Sequence, residues 1–297
     1  MNKPSFMSTR SAPLQDTSRR GRLELQGISK RFGKSKEAAL ENITLECRPG
    51  EFVVVVGPSG SGKSTLLNIA AGMTRPDRGT ARLDGEMISS PGPERAMVFQ
   101  EHGLFPWLTA AQNVEFGLKM AGVGGSERAD RVAGALRMVH LSGSANKLVH
   151  ELSGGMKQRI AIGRALVMDP AVLLMDEPFA SLDAQTRTLL HHQLQSLWVE
   201  TQKTILFVTH SVGEAVRLAD RIIVLHTHPG RIRKEICVDL PHPRKFDSSD
   251  ISELVKLVRK EIEEEVNRVN ALAAEDSWRP DENADLGAFT DDLGSGI

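Results

Sequence analysis

Very little in this sequence points to a membrane span, a sulfur framework or a dominant charge. No apolar run approaches the roughly 18 residues that a membrane helix needs, and the first residues contain no apolar signal core. Any work at a membrane therefore has to go through a docked partner. Only two cysteines occur among 297 residues, Cys47 and Cys237. They stand far apart without C-x-x-C or Cys/His ligand spacing, so buried reduced thiols are expected rather than a disulfide or a metal site. Lys and Arg number 37 against 38 Asp and Glu, a net charge of −1, so the basic excess that marks a nucleic-acid partner is missing. Sustained apolar heptads are missing too, which excludes a long coiled-coil insertion. With 40% hydrophobic and 25% charged residues, the chain has material for one large domain or two small ones.

What the chain does have is concentrated in residues 52–72. Phe52-Val53-Val54-Val55-Val56 is a short β-branched apolar run, as in a strand buried on both faces of a mainly parallel sheet. It leads through Gly57-Pro58-Ser59-Gly60-Ser61-Gly62-Lys63-Ser64-Thr65 into a helix that closes on Gly72. The glycines let successive backbone N–H groups curl round a phosphate, and the helix N-terminus adds partial positive charge. Lys63 brings a full charge for the β- and γ-phosphates, and the Ser64 hydroxyl can ligate Mg²⁺. The competing reading is a Gly-rich turn with an incidental lysine. A strand before and a helix after favour a nucleoside triphosphate.

Taken in order, residues 1–21 mix Pro, Ser, Thr and Arg without periodicity and read as a flexible leader; Arg10, Arg19 and Arg20 are solvated or brush a membrane surface. Leu23, Leu25, Ile43 and Leu45 alternate with polar neighbours, as in half-exposed antiparallel strands. Residues 75–79 read as a turn, and Asp84-Gly85 within residues 80–88 as a tight hairpin. A further strand over residues 96–99 ends at Gln100. Residues 112–122 and 126–140 carry apolar residues at helical spacing, broken at Gly124-Gly125. Ser153 can cap a helix running to Pro170. Strand–helix–strand alternation over residues 171–208 signals a parallel sheet, closed by a pair of strands around His228-Pro229-Gly230. Ile251, Leu254, Val255, Val258, Ile262, Val266 and Val269 make residues 251–272 an amphipathic helix, packed on its own domain or on a partner. From Glu275 the acidic, Gly- and Asp-rich tail is expected to be disordered.

The strand of residues 172–175 delivers Asp176 and Glu177 at its C-terminal end, where open α/β sheets bind ligands. Asp176 suits a metal held through water, and Glu177 suits a general base acting on an attacking water. An Asp-Glu pair alone is more often a charged helix start; its place after a phosphate loop changes that. Gln100 and His210 end two other strands, placed to sense metal and lytic water and to reach the γ-phosphate. Singly, such residues are usually structural.

Together these residues resemble the ATP-binding subunits of ABC transporters. The resemblance covers residues 22–242: phosphate loop Gly57 to Thr65, Q-loop Gln100, signature Leu152-Ser153-Gly154-Gly155-Met156, Walker B Val172 to Glu177, D-loop Ser181-Leu182-Asp183 and switch His210. It implies an α/β P-loop fold of ABC type: a mainly parallel core, an antiparallel β subdomain and a helical subdomain over about residues 101–165. A C-terminal helix over residues 243–274 and a tail over residues 275–297 would follow. It further implies ATP and Mg²⁺ as cofactors. Phe32 would stack on adenine. Gly57, Ser59, Gly60, Gly62, Lys63, Ser64 and Thr65 would hold the triphosphate, with Ser64, Gln100 and Asp176 on the metal and Glu177, Gln100 and His210 at the chemistry. In the family, two subunits face head to tail, and Ser153, Gly154 and Gly155 of one, with Asp183, complete the site of the other. Met156 stands where the family usually has Gln.

Partners implied are a second copy or a sister subunit, transmembrane permease subunits and, indirectly, a periplasmic or lipoprotein substrate-binding protein, at the cytoplasmic face of a bacterial inner membrane. Residues 98–109 and 239–244 resemble more narrowly the nitrate, sulfonate and taurine importers. There Phe105, Pro106 and Trp107 follow the Q-loop as a permease dock or as internal packing. The rival classes are a soluble ABC ATPase acting on nucleic acid or ribosomes, and a module that uses ATP only to switch partners.

Overall fold

The computed structural model describes residues 20–33, 37–227, 229–244 and 249–277. The leader, apart from its last two residues, and the tail beyond residue 277 lie outside them.

Strand β3 (Phe52–Val56) is buried at every position, and its pleat divides the interior in two. Phe52, Val54 and Val56 face one core, which they share with the helices that follow; Val53 and Val55 face the other. That second core is closed by a four-stranded antiparallel sheet made from β1 (Leu23–Lys30), β2 (Leu40–Cys47), β4 (Arg78–Leu83) and β5 (Glu86–Met87), in the order β2-β1-β4-β5. Its alternating residues Leu23, Leu25, Ile43 and Leu45 are buried, as period-two patterning requires. Helix α1 (Lys63–Ala70) contributes Leu66, Leu67 and Ile69 to the same core.

The main sheet orders its six strands β10-β9-β3-β8-β7-β6, from β6 (Arg95–Val98), β7 (Val172–Asp176), β8 (Thr204–Thr209), β9 (Arg221–Leu225) and β10 (Ile232–Cys237). All are parallel except the edge strand β10. Val56 pairs with Thr209, and Val208 with Asp176, so the loops leaving β3, β8 and β7 emerge side by side. That register builds the site.

Helices α2 (Ala110–Met120), α3 (Gly125–Met138) and α4 (Gly154–Leu166) follow β6. Thr109 and Gln112 form a reciprocal capping box at α2. The fully buried Asn113 accepts from the Phe105 N–H at 2.8 Å and donates to the Phe105 and Thr109 carbonyls, so one amide shapes the turn that carries Trp107. After β7 come α5 (Ala184–Thr201) and, following β8, α6 (Val212–Leu218).

The structure corrects several expectations. Cys47 is buried but Cys237 is exposed, because it ends the edge strand β10. The turn expected over residues 75–79 ends early: β4 begins at Arg78 and Gly79 lies within it at φ 87°, where a Cβ would collide with the Gln26 and Gly27 carbonyls. Helix α7 (Ser249–Ser277) neither starts at residue 243 nor stops at residue 274. Pro243 and Arg244 form a loop in which the buried Arg244 guanidinium donates to the carbonyls of Val216, Ala219, Val238 and Leu240, and burial pushes its pKa down to about 10. At the far end Ala273, Ala274 and Glu275 are strong helix formers and carry the helix on. Among the described residues no helix is long and apolar enough to cross a membrane.

Helix α7 packs on its own domain, with Ile251 and Val258 in the main core. Its polar anchor is Glu265, fully buried, which accepts from His226 Nδ1 (2.5 Å), the Thr227 N–H (2.9 Å) and Arg268. Burial works against its charge, but the bonds from Arg268, Thr227 and His226 outweigh it and hold the carboxyl at about 2. A depressed carboxyl pKa stabilises above the unfolded value and stops doing so as pH falls. Docking of α7 should therefore weaken from about pH 4.5 down to about 2. Glu265→Ala should speed amide exchange in α7 at neutral pH and leave no step in that window; unchanged exchange would exclude the anchor.

Candidate active site

Helix α1 begins at Lys63 directly after Gly62, whose φ of 85° bends the loop and offers no side-chain cap to the first-turn N–H groups. Gly60 is left-handed as well, with φ 80°. A Cβ on Gly62 would meet Leu40 Cδ2 at 2.5 Å and the Ala39 carbonyl at 2.6 Å; one on Gly57 would meet Ser61 Oγ at 2.8 Å. Ser61 Oγ is itself buried with no hydrogen-bond partner among the described residues. Open backbone donors, an orphaned hydroxyl and a helix N-terminus are a donor set that fits an anionic phosphate chain. Ser59 and Gly60 are exposed on the rim and Thr65 is half-buried.

Lys63 Nζ, 7% exposed as a residue, donates to the carbonyls of Gly57 and Pro58, both at 2.9 Å. Burial pushes its ammonium below the ordinary lysine range, opposed by the charges of Glu177 and Asp176. Ser64 Oγ donates to Asp176 Oδ1 at 3.1 Å, which ties the loop to the end of β7. Burial, helped by the Glu177 charge, raises the Asp176 carboxyl; the Ser64 bond and Lys63 pull the other way. A hydroxyl and a carboxylate oxygen together suit a hard divalent cation such as Mg²⁺.

Glu177 takes φ 44°, an uncommon conformation for a side-chain-bearing residue, and its N–H donates to the Val208 carbonyl of β8 at 2.9 Å. Its Oε2 lies 2.7 Å from His210 Nδ1. A carboxylate only accepts, so Nδ1 carries the hydrogen. Five of the residues singled out in the sequence, Lys63, Ser64, Asp176, Glu177 and His210, are thus brought together by three adjacent strand ends.

The others stand apart. Gln100 lines a cleft of about 520 Å³ with Val149, Lys157 and Ser181. Ser153 caps α4, accepting from the Met156 N–H at 3.4 Å, and among the described residues no hydrogen bond links 153–155 to 57–65. Gly155 is buried against α5, where a Cβ would meet Thr186 Cγ2 at 2.4 Å. Asp183 caps α5 through the Thr186 and Gln185 N–H groups, and the bonds from the Thr186 backbone and side chain, then from Gln185, hold its carboxyl below the usual range. Phe32 is 51% exposed, with Lys30 Nζ 5.5 Å from its ring centre.

Two residues that the sequence did not single out tie the Gln100 loop to the signature helix. Arg164 of α4 donates to the Gly103 (2.6 Å) and His102 (3.0 Å) carbonyls, and His102 bonds the Gly154 backbone. Burial and Lys157 lower the His102 pKa. Of the apolar cluster, Phe105 packs against Phe116 at 4.5 Å, whereas Trp107 is 71% exposed. Internal packing and an open face thus coexist there.

A phosphate loop between buried strand and helix, beside a strand-end carboxylate pair, defines an α/β nucleoside triphosphatase of the P-loop class. The family model described as ABC transporter matches residues 40–180. The nitrate import ATP-binding protein of Synechocystis sp. is 48% identical over 221 residues, 74% of this chain and 83% of that protein. The aliphatic sulfonates import ATP-binding protein of Bacillus cereus is 42% identical over 243 residues, 81% and 96% of the two chains. A dimeric ATP-binding cassette solved in a post-hydrolysis state with ADP and Pi is 35% identical, with TM-score 0.64, over 74% of this chain and 100% of that one. The chain belongs to the ABC transporter ATP-binding proteins, ATPases coupled to transport.

Proposed function

We propose that this subunit powers inward transport of a small anion or zwitterion of the nitrate, sulfonate or taurine type, as half of a cassette dimer at the cytoplasmic face of a bacterial inner membrane. The single observation that carries the reading is the cluster of Lys63, Ser64, Asp176, Glu177 and His210 at adjoining strand ends, in a chain resembling nitrate and sulfonate import subunits.

Lys63 and the N–H groups of residues 57–65 hold the β- and γ-phosphates, and Phe32 stacks on the adenine. Ser64 and Asp176 would hold Mg²⁺, which when bound neutralises phosphate charge, and Gln100, on the loop after β6, would approach it from beside the end of β7. Glu177 takes the proton of the attacking water. His210, fixed by its 2.7 Å bond to Glu177, reaches the γ-phosphate. Ser153, Gly154, Gly155 and Asp183 of the second copy complete each site. The rival nucleic-acid or ribosome role has no overall basic excess to support it, with 37 Lys and Arg against 38 Asp and Glu.

Trp107 and its loop would dock the permease, with the Arg164 and His102 bonds carrying motion between that dock and the signature helix. Trp107→Ala should leave ATP binding by the isolated subunit within about twofold, because a rim contact lies outside the nucleotide site. It should weaken co-purification with the permease and slow uptake; unchanged uptake would remove Trp107 from the dock. A deletion strain that still takes up taurine, alkanesulfonates and nitrate would sink this choice of cargo.

A further inference from the structure

One buried carboxylate has no part in the chemistry above. Glu214, in the first turn of α6, is 4% exposed, and three side chains converge on it. Thr209 Oγ1 donates to Oε2 at 2.6 Å, His191 Nε2 lies 3.3 Å from Oε1, and Arg187 Nε lies 3.9 Å from Oε1. Each end of this cluster leads to the active site. Thr209 precedes His210, and its Oγ1 also accepts from the Ser211 N–H at 3.0 Å, so the backbone on both sides of His210 is held. Arg187 donates to the carbonyls of Phe179 (3.2 Å) and Leu182 (2.7 Å), in the loop that leaves Glu177. The His210–Glu177 bond closes a ring that runs from Glu177 through residues 179–182, Arg187, Glu214 and Thr209 back to His210. Glu177 holds its left-handed backbone inside this ring, and such a conformation persists only where its surroundings over-determine it.

We propose that Glu214 is a positioning residue that fixes the His210 turn, through Thr209, relative to the loop after Glu177, through Arg187. The proposal rests on the roles given above to Glu177 and His210. Toward the ionised carboxylate Thr209, His191 and Arg187 all act as donors, and Glu214→Gln turns one NH₂ toward either the Thr209 hydroxyl or the His191–Arg187 side, so that partner must reorient. Burial opposes the charge, but the bonds from His191 and Thr209 and the charges of His191 and Arg187 hold the carboxyl below its ordinary range.

The test uses the full chain with Glu214→Gln and, from the half-exposed end of the ring, Arg187→Met. Both should lower kcat about 10- to 100-fold, the usual cost of slight misplacement, with KM and ATP affinity within about twofold. In the His210→Ala background Glu214→Gln should add less than about twofold, because both changes break one path. A merely structural role would instead multiply the losses or make them follow a fall in folded fraction, and either result overturns the proposal. Wild-type kcat in Glu214→Gln beside a slow His210→Ala overturns the proposal alone. A wild-type rate in His210→Ala overturns the underlying reading and the proposal with it.

Discussion

Glu177→Gln is expected to keep ATP bound while turnover falls by about 10²- to 10⁴-fold, the range of a lost general base. The amide matches the carboxylate in size, so the end of β7 and its N–H bond to Val208 should persist. The phosphate loop, with its glycine bends and Lys63, is untouched. What disappears is a group able to take a proton, 2.7 Å from His210. Binding and hydrolysis should separate: nucleotide stays on the protein, phosphate release stops, and an ATP-bound dimer accumulates during size-exclusion chromatography. Normal phosphate release by the variant would remove Glu177 from its role.

The opposite pattern is expected at Lys63. Lys63→Ala deletes the one ammonium inside the loop, where burial and two carbonyl bonds hold it against the phosphate cradle. Charge-assisted hydrogen bonds contribute about 1.5 to 3 kcal/mol each, so ATP affinity should fall roughly 10- to 100-fold and hydrolysis with it. A fluorescent ATP analogue titrated onto both proteins checks this. Wild-type affinity would show that the backbone N–H groups alone hold the triphosphate.

Both residues were legible in the sequence because their chemistry is local. Strand, glycine loop and helix are consecutive at residues 52–72, and Asp176 and Glu177 end a run buried on both faces. The meeting of the two carboxylates with His210 follows once β7 and β8 are neighbours, which strand–helix–strand alternation already implies. What stayed hidden are charges that look like surface residues until tertiary structure buries them. Glu214 and His191 lie 23 residues apart, and Glu265 and His226 lie 39 apart, on separate elements whose spacing carries no periodic signal. In the sequence Arg244 stands only as the end of the importer-like stretch of residues 239–244, yet it satisfies carbonyls from α6 and the chain beyond β10. Cys237 shows the converse: a residue type that is usually buried ends on an edge strand. Gly155 and Asp183, singled out as nucleotide contacts, also do structural work, one packing α4 on α5 and the other capping α5. Nothing in a motif separates those duties.

Whether the site is shared between two copies is tested most directly by mixing Lys63→Ala and Ser153→Arg chains and measuring phosphate release. Ser153 is exposed, so Arg costs α4 only its cap, about 1 kcal/mol. A mixed dimer rebuilds one intact site from Ser153 of the first chain and Lys63 of the second. The expected result is hydrolysis in the mixture where neither chain alone is active; full-rate hydrolysis by Ser153→Arg alone, independent of protein concentration, would contradict it.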